Sequence, residues 1–241
     1  MKATPKDQNL LIELQLIDSQ VTQLKTKLAG LPELEQIAAI HSRLENTAVE
    51  LNVVETELAD VTIDLKRSEL DVEQVDDRIQ KDEKRLASGL ATPKELEQLQ
   101  HEVVTLMKRK GELEDGELEI LIKHDGIKGR VDELLSDQIG LKQLELELNI
   151  RLENARAEID KSLADLAEAR SALTPKIDPA LVELYNKIRL SAHGVGAALL
   201  IGNKCDGCHL AINATEIDRI KGLATDEIIR CEECRRILVR I

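Results

Sequence analysis

Apolar residues open the chain at Leu10, Leu14, Ile17, Val21, Leu24, Leu28 and Leu31, with steps that alternate between four and three. That spacing holds one narrow stripe on a helix and is the a/d seam of a coiled coil. Gly30-Leu31-Pro32 interrupts it, because a proline inside a helix removes a hydrogen bond and kinks the axis. The stripe resumes at Ile37 and Ile40 and runs through Leu44, Leu51, Leu58, Leu65, Val72, Ile79 and Leu86. Between Leu31 and Ile37 it falls one residue short of a heptad, which predicts local overwinding. Ser88-Gly89-Leu90-Ala91 reads as a turn. Beyond it, Thr92 supplies an N-cap, Pro93 a first helical residue and Glu95 the far side of a capping box. The stripe continues at Leu96, Leu99, Val103, Leu106 and Leu113, weakens near Gly126 and Gly129, and recovers from Val131 to Leu173.

Two arms of nearly equal length follow, Pro5 to Ala87 and Pro93 to about Thr174. At 1.5 Å per residue each spans on the order of 120 Å. A short turn between equal amphipathic helices predicts a long antiparallel coiled-coil hairpin over residues 1–175, turning at about 88–92. A parallel homodimer of the arms is the competing arrangement. Pro175 and Pro179 mark a boundary, and 176–241 reads as a small second domain. Its pattern predicts a helix over Ala180 to Leu190, an apolar run at Ala197 to Ile201, a helix over Thr215 to Leu223 and a strand from Arg236 to Ile241.

Composition agrees with a mostly helical chain that has little compact core. Charged residues make up 33%, Phe and Trp are absent, and Tyr185 is the lone aromatic, where a globular core of 241 residues would hold several large rings. Residues 176–241 hold 10 basic and 9 acidic side chains, so the first 175 carry 23 basic and 37 acidic, net −14. An acidic surface of that kind repels phosphate backbones. There is no run of 18 apolar residues to span a membrane, and Met1 to Asp7 is too polar for a signal peptide. A cytoplasmic protein is expected.

The sharpest chemical signal is the placing of all four cysteines, in Cys205-Asp206-Gly207-Cys208 and Cys231-Glu232-Glu233-Cys234, with residues 209–230 between the pairs. Each CxxC turn presents two sulfurs on one side of a tight loop, and two such turns suit one tetrahedral structural Zn2+. His209 makes the first motif CxxCH as well, the pattern of covalent haem attachment, but haem would leave Cys231 and Cys234 unexplained. Redox use of a CxxC wants a βαβ context that the pattern lacks. A pair of disulfides is disfavoured in a reducing compartment. Zinc held by Cys205, Cys208, Cys231 and Cys234 remains, and so small a unit is expected to depend on its metal.

On these residues the chain resembles the bacterial coiled-coil C4-type zinc-ribbon proteins of the DUF164 group. The resemblance rests on Thr92 to Glu102 after the turn, on Cys205 to Leu210 and on Cys231 to Leu238. It implies an elongated hairpin, a terminal zinc ribbon and no enzymatic activity. The family pattern has proline after the third cysteine and glycine after the fourth. Here these are Glu232 and Arg235, so the second turn is expected to be strained at Arg235.

Function then divides between two expectations. One is a non-catalytic adaptor, scaffold or chaperone-like protein, a monomer or weak homo-oligomer, that binds an unidentified protein partner through the coiled coil and ribbon. The alternative is RNA or DNA binding through the basic residues around the metal turns, Lys204, Arg230, Arg235, Arg236 and Arg240. Against the alternative, four thiolates around one Zn2+ add negative charge, and no aromatic platform for bases is present.

Overall fold

The structure is a computed structural model that describes residues 1–88 and 92–240. The described residues form five α-helices, α1 (Pro5–Ala29), α2 (Pro32–Ala87), α3 (Pro93–Leu173), α4 (Pro179–Ser191) and α5 (Ala214–Gly222). Four strands complete the structure, β1 (Ala197–Ile201), β2 (Lys204–Cys205), β3 (Ile229–Arg230) and β4 (Ile237–Arg240). A 3-10 turn over Thr174–Lys176 follows α3. The expected long hairpin and small C-terminal ribbon are both present. The tip residues 89–91 and Ile241, the last residue of the expected final strand, lie outside the described residues.

Local sequence explains where the helices begin and end. Thr4 caps α1, its hydroxyl accepting from the Asp7 amide at 3.1 Å, and Pro5 follows at the first helical position. At Gly30-Leu31-Pro32 the helix breaks outright, and the Gly30 amide closes α1 on Thr26 O and Lys27 O. Thr92 and Glu95 form the expected capping box: the Thr92 amide donates to Glu95 Oε2 at 2.7 Å and the Glu95 amide to Thr92 Oγ1 at 3.4 Å. Because α3 is unbroken across Gly126 and Gly129, the weakened pattern there does not end the helix.

The chain divides into two compact units, Gln36–Leu148 and Met1–Glu35 with Asn149–Ile241. The first consists of paired helices. Its seam buries Ile40, Val61 and Ile79 of α2 and Leu99, Val103, Val131, Leu134, Leu141 and Leu148 of α3. Cross-helix pairs join His41 to Glu145, Glu50 to Arg130, Asp76 to Lys110 and Arg78 to Glu102. The partner number falls as the first rises, so the helices run antiparallel.

In the second unit, a four-stranded sheet has the order β2-β1-β4-β3, with β1 and β4 parallel and both outer pairs antiparallel. Strand alternation gives it two apolar faces. Ala197, Ile237 and Val239 pack on α1 and α4 with Leu11, Leu14, Leu181 and Tyr185. Ala198 and Leu238 point the other way, onto Ile212, Ile217 and Ile220 and two cysteines. The N-terminus joins the same unit: the Ala3 amide donates to Asp226 O at 2.7 Å and the Ile228 amide to Met1 O at 3.2 Å.

Candidate metal centre

Two turns of the same construction build the site. At the end of β2, the Cys205 amide donates to Leu210 O at 3.1 Å and the His209 amide to Cys205 O at 2.7 Å. After β3, the Cys231 amide donates to Arg236 O and the Arg235 amide to Cys231 O, both at 2.9 Å. The residue after each second cysteine takes the left-handed conformation, His209 at φ 62° and Arg235 at φ 61°. That conformation lets the chain curl back so that both sulfurs of a turn face one point, and the strain expected at Arg235 is there.

The sheet brings the turns together. All four Sγ atoms lie within 4.8 Å of one another, with Cys205–Cys234 at 3.8 Å and Cys208–Cys231 at 3.9 Å. A regular tetrahedron with Zn–S bonds of about 2.3 Å has S···S edges of about 3.8 Å, so the set fits one Zn2+. All four cysteines are free thiols. Cys205 and Cys231 are buried under α5, whereas Cys208 and Cys234 are half-exposed. Burial pushes the Cys205 thiol up to about 12 and raises Cys231 as well. At Cys234 burial also raises the thiol, but the Arg236 amide and the neighbouring sulfurs outweigh it, and the net direction is downward. A bound dication supplies the charge that lets buried thiols ionise together.

Arg236 ties the site to its support. Its guanidinium donates to Val195 O at 3.1 Å, Ala192 O at 3.0 Å and Gly207 O at 2.6 Å, so one side chain clamps the first CxxC turn to the end of α4. Gly207 is needed there, because a Cβ would come within 2.9 Å of both Ala198 Cβ and Arg236 Cδ. Arg240 is committed to carbonyls too, donating to Ile220 O at 3.0 Å, Leu223 O at 3.1 Å and Ala224 O at 2.6 Å, which closes the C-terminal end of α5. Arg230 Nε donates to Arg235 O at 2.9 Å. Lys204, Arg230 and Arg235 are exposed; Arg236 and Arg240 are half-buried.

Sequence reasoning missed the polar support beneath the ribbon. Gln8, Gln15 and Asp18 of α1 are buried, although they lie beside the apolar seam rather than in it. Gln15 Oε1 accepts from the Gly196 amide at 2.7 Å, and its Nε2 donates to Gly194 O at 3.2 Å, which fixes the entry to β1. Asp18 accepts from Arg170 Nε at 2.9 Å and from the Tyr185 hydroxyl at 2.8 Å, and Arg189 Nε lies 3.3 Å away. A signal exists in hindsight: Gln8, Leu11, Gln15 and Asp18 recur at steps of three, four and three, a second helical stripe.

Fold and site together define a helical-hairpin protein with a C4-type zinc ribbon. The model of the CT398-like coiled coil hairpin domain matches residues 14–193, and that of the C4-type zinc ribbon domain matches residues 204–238. The chain belongs to this CT398-like family. It is 31% identical to the Mycobacterium tuberculosis protein MT2288 across 100% of this chain and 98% of that one. A Mycobacterium smegmatis structure shares 29% identity at a TM-score of 0.81 and full coverage of both chains. The fold alone is shared with CT398 of Chlamydia trachomatis, at 20% identity, a TM-score of 0.62 and 98% coverage of each chain. No described helix is long and apolar enough to cross a membrane.

Proposed function

We propose that this chain is a non-catalytic adaptor or chaperone-like scaffold that holds protein partners on its coiled coil and ribbon. In this reading Cys205, Cys208, Cys231 and Cys234 ligate one structural Zn2+. The observation that carries it is the make-up of Gln36–Leu148. That compact unit consists of α2 and α3 segments whose side chains outside a thin seam are exposed, so nearly all of its surface is available for contact. Beside the ribbon, Gln15 ties α1 to the entry of β1 and Asp18 ties α1 to α4. A cytoplasmic site of action and a monomeric or weakly self-associating chain complete the reading.

The test is site-specific photo-crosslinking in the native cell, with the reactive residue placed in turn on exposed positions of α2, α3 and the ribbon. Discrete adducts with protein are expected from the hairpin positions. A full scan that yields none removes the adaptor reading. Nucleic-acid binding is the second reading, favoured by exposed Lys204, Arg230 and Arg235 beside the metal turns. It requires RNA or DNA binding that falls steeply with salt and is lost in Arg235→Ala.

A further inference from the structure

The four thiols of the ribbon are the chain's only cysteines, and they form one cluster. Cys208 and Cys234 are half-exposed, while Cys205 and Cys231 are buried. Each half-exposed sulfur touches a buried one in the other turn, Cys234 against Cys205 at 3.8 Å and Cys208 against Cys231 at 3.9 Å. An oxidant can reach the outer sulfur of each contact, and a second sulfur stands directly behind it. An accessible thiolate beside a resolving cysteine is the arrangement that turns oxidation into a reversible disulfide.

The turns themselves favour a link between them over a link within one. The amides of Gly207 and Cys208 donate to Cys205 Sγ, and those of Glu233 and Cys234 donate to Cys231 Sγ. With His209 and Arg235 in left-handed backbone, these bonds fix each turn as a unit that aims both sulfurs at one outside point. Neither turn leads directly into a helix, the βαβ setting in which a CxxC pair closes on itself. A disulfide inside a turn would break its hydrogen bonds. A disulfide across the turns needs two intact units to approach by about 2 Å, from the contacts above to an S–S bond of about 2.0 Å. The residues so joined lie 29 and 23 positions apart, so the bonds replace the long-range crosslink that the metal provides.

We propose that the cluster is a thiol redox switch, in which a peroxide converts the four thiolates into the disulfides Cys205–Cys234 and Cys208–Cys231 and frees the zinc. The outer thiolate attacks a peroxide oxygen and becomes a sulfenic acid as hydroxide leaves. The buried thiolate then attacks that sulfur, forms the S–S bond and expels a second hydroxide. Each disulfide gives two electrons to one peroxide, and two protons complete two waters. Two peroxides therefore serve the whole cluster. Disulfide sulfur is neutral and no longer holds a dication, so Zn2+ departs without changing its own charge. Transient bonds of this kind are compatible with a reducing compartment. The proposal rests on the zinc ligand set given above and adds its regulation.

The experiment uses the full chain, purified anaerobically with one zinc, and hydrogen peroxide as the oxidant. A chromogenic chelator follows the metal, and mass mapping of the unreduced digest follows the sulfurs. Loss of the single zinc is expected, with two peroxides consumed per zinc, and dithiothreitol with Zn2+ should restore it. Cleavage after Lys204, Arg219, Arg230 and Arg235 leaves one CxxC pair in each of two peptides. Disulfides across the turns join these peptides, and fragmentation then reads the Cys205–Cys234 and Cys208–Cys231 pairing. Zinc retained at peroxide levels that oxidise free glutathione would overturn the proposal. So would separate peptides each closed on itself, sulfinic or sulfonic acids in place of disulfides, or bonds between two chains. A chain that holds no zinc before peroxide is added fails the ligand reading instead, and the switch with it.

Discussion

The hydroxyl of Tyr185, the lone aromatic, donates to Asp18 Oδ2 at 2.8 Å, joining α4 to α1 across 167 positions of sequence. Asp18 is 2% exposed and also faces Arg170 and Arg189. Removing the hydroxyl in Tyr185→Phe leaves the carboxylate its two cations and should cost about 1–2 kcal/mol. In Asp18→Ala both guanidinium groups lose their counter-charge, and the expected cost is about 3 kcal/mol or more. Thermal melts followed by circular dichroism should rank wild type above Tyr185→Phe and Tyr185→Phe above Asp18→Ala. An Asp18→Ala variant that melts with the wild type would show the cluster to be energetically idle.

Alkaline pH offers a separate check on the same residue. Burial, then the hydrogen bond to Asp18 and its negative charge, push the Tyr185 phenol far above its usual value near 10. The unfolded phenol ionises at about pH 10, while the folded one stays neutral. The contribution is therefore intact below pH 10 and is lost above it, at about 1.4 kcal/mol per pH unit. Phenolate absorbance at 295 nm should appear only with cooperative unfolding, and Tyr185→Phe should have a shallower alkaline slope. Smooth titration of native protein near pH 10 would contradict the burial.

Its place beside the metal turns makes Arg236 a candidate nucleic-acid contact in the sequence, and in the fold its guanidinium bridges three main-chain carbonyls. Lysine cannot reproduce that fork. Arg236→Lys should therefore loosen the first CxxC turn and weaken zinc retention by about tenfold or more, as losses of outer-shell support do. Zinc transfer to a chromogenic chelator measures this directly, starting from one zinc per chain. Gly207→Ala should act in the same direction, since its Cβ collides with Ala198 and with the clamp itself. Unchanged zinc transfer in both variants would reduce Arg236 to a surface residue.

What was legible in the sequence was what repeats or what is chemically rare. A seam such as Ile40, Val61 and Ile79 announces itself by period, Thr92 and Glu95 by the cap they complete, and four cysteines by their spacing. Of the Asp18 cluster only one half was legible. The stripe of Gln8, Leu11, Gln15 and Asp18 marks a second face of α1, but the other members lie at 170, 185 and 189, and nothing in the sequence joins them to position 18. The clamp was hidden for a related reason. A basic residue beside a CxxC suits both a phosphate contact and a main-chain donor, and only the fold shows that Ala192, Val195 and Gly207 carbonyls surround it.

The paired turns predict that two substitutions should improve the ribbon. His209 and Arg235 hold left-handed backbone at φ 62° and 61°, a conformation that costs a side-chain-bearing residue about 1–2 kcal/mol. Glycine removes that strain but adds about 0.5–1 kcal/mol of unfolded-state entropy, so each change should stabilise by roughly 0.5 kcal/mol. Only main-chain atoms of the two residues serve the turns, and Arg230 would keep its bond to the residue 235 carbonyl. Glu232→Gly is the control, because Glu232 is not among the residues of positive φ, and there glycine should destabilise by about 0.5–1 kcal/mol. Denaturant midpoints of the zinc-loaded protein, read by Tyr185 fluorescence, should rise for His209→Gly and Arg235→Gly and fall for Glu232→Gly. If all three shift downward together, the left-handed positions carry no strain.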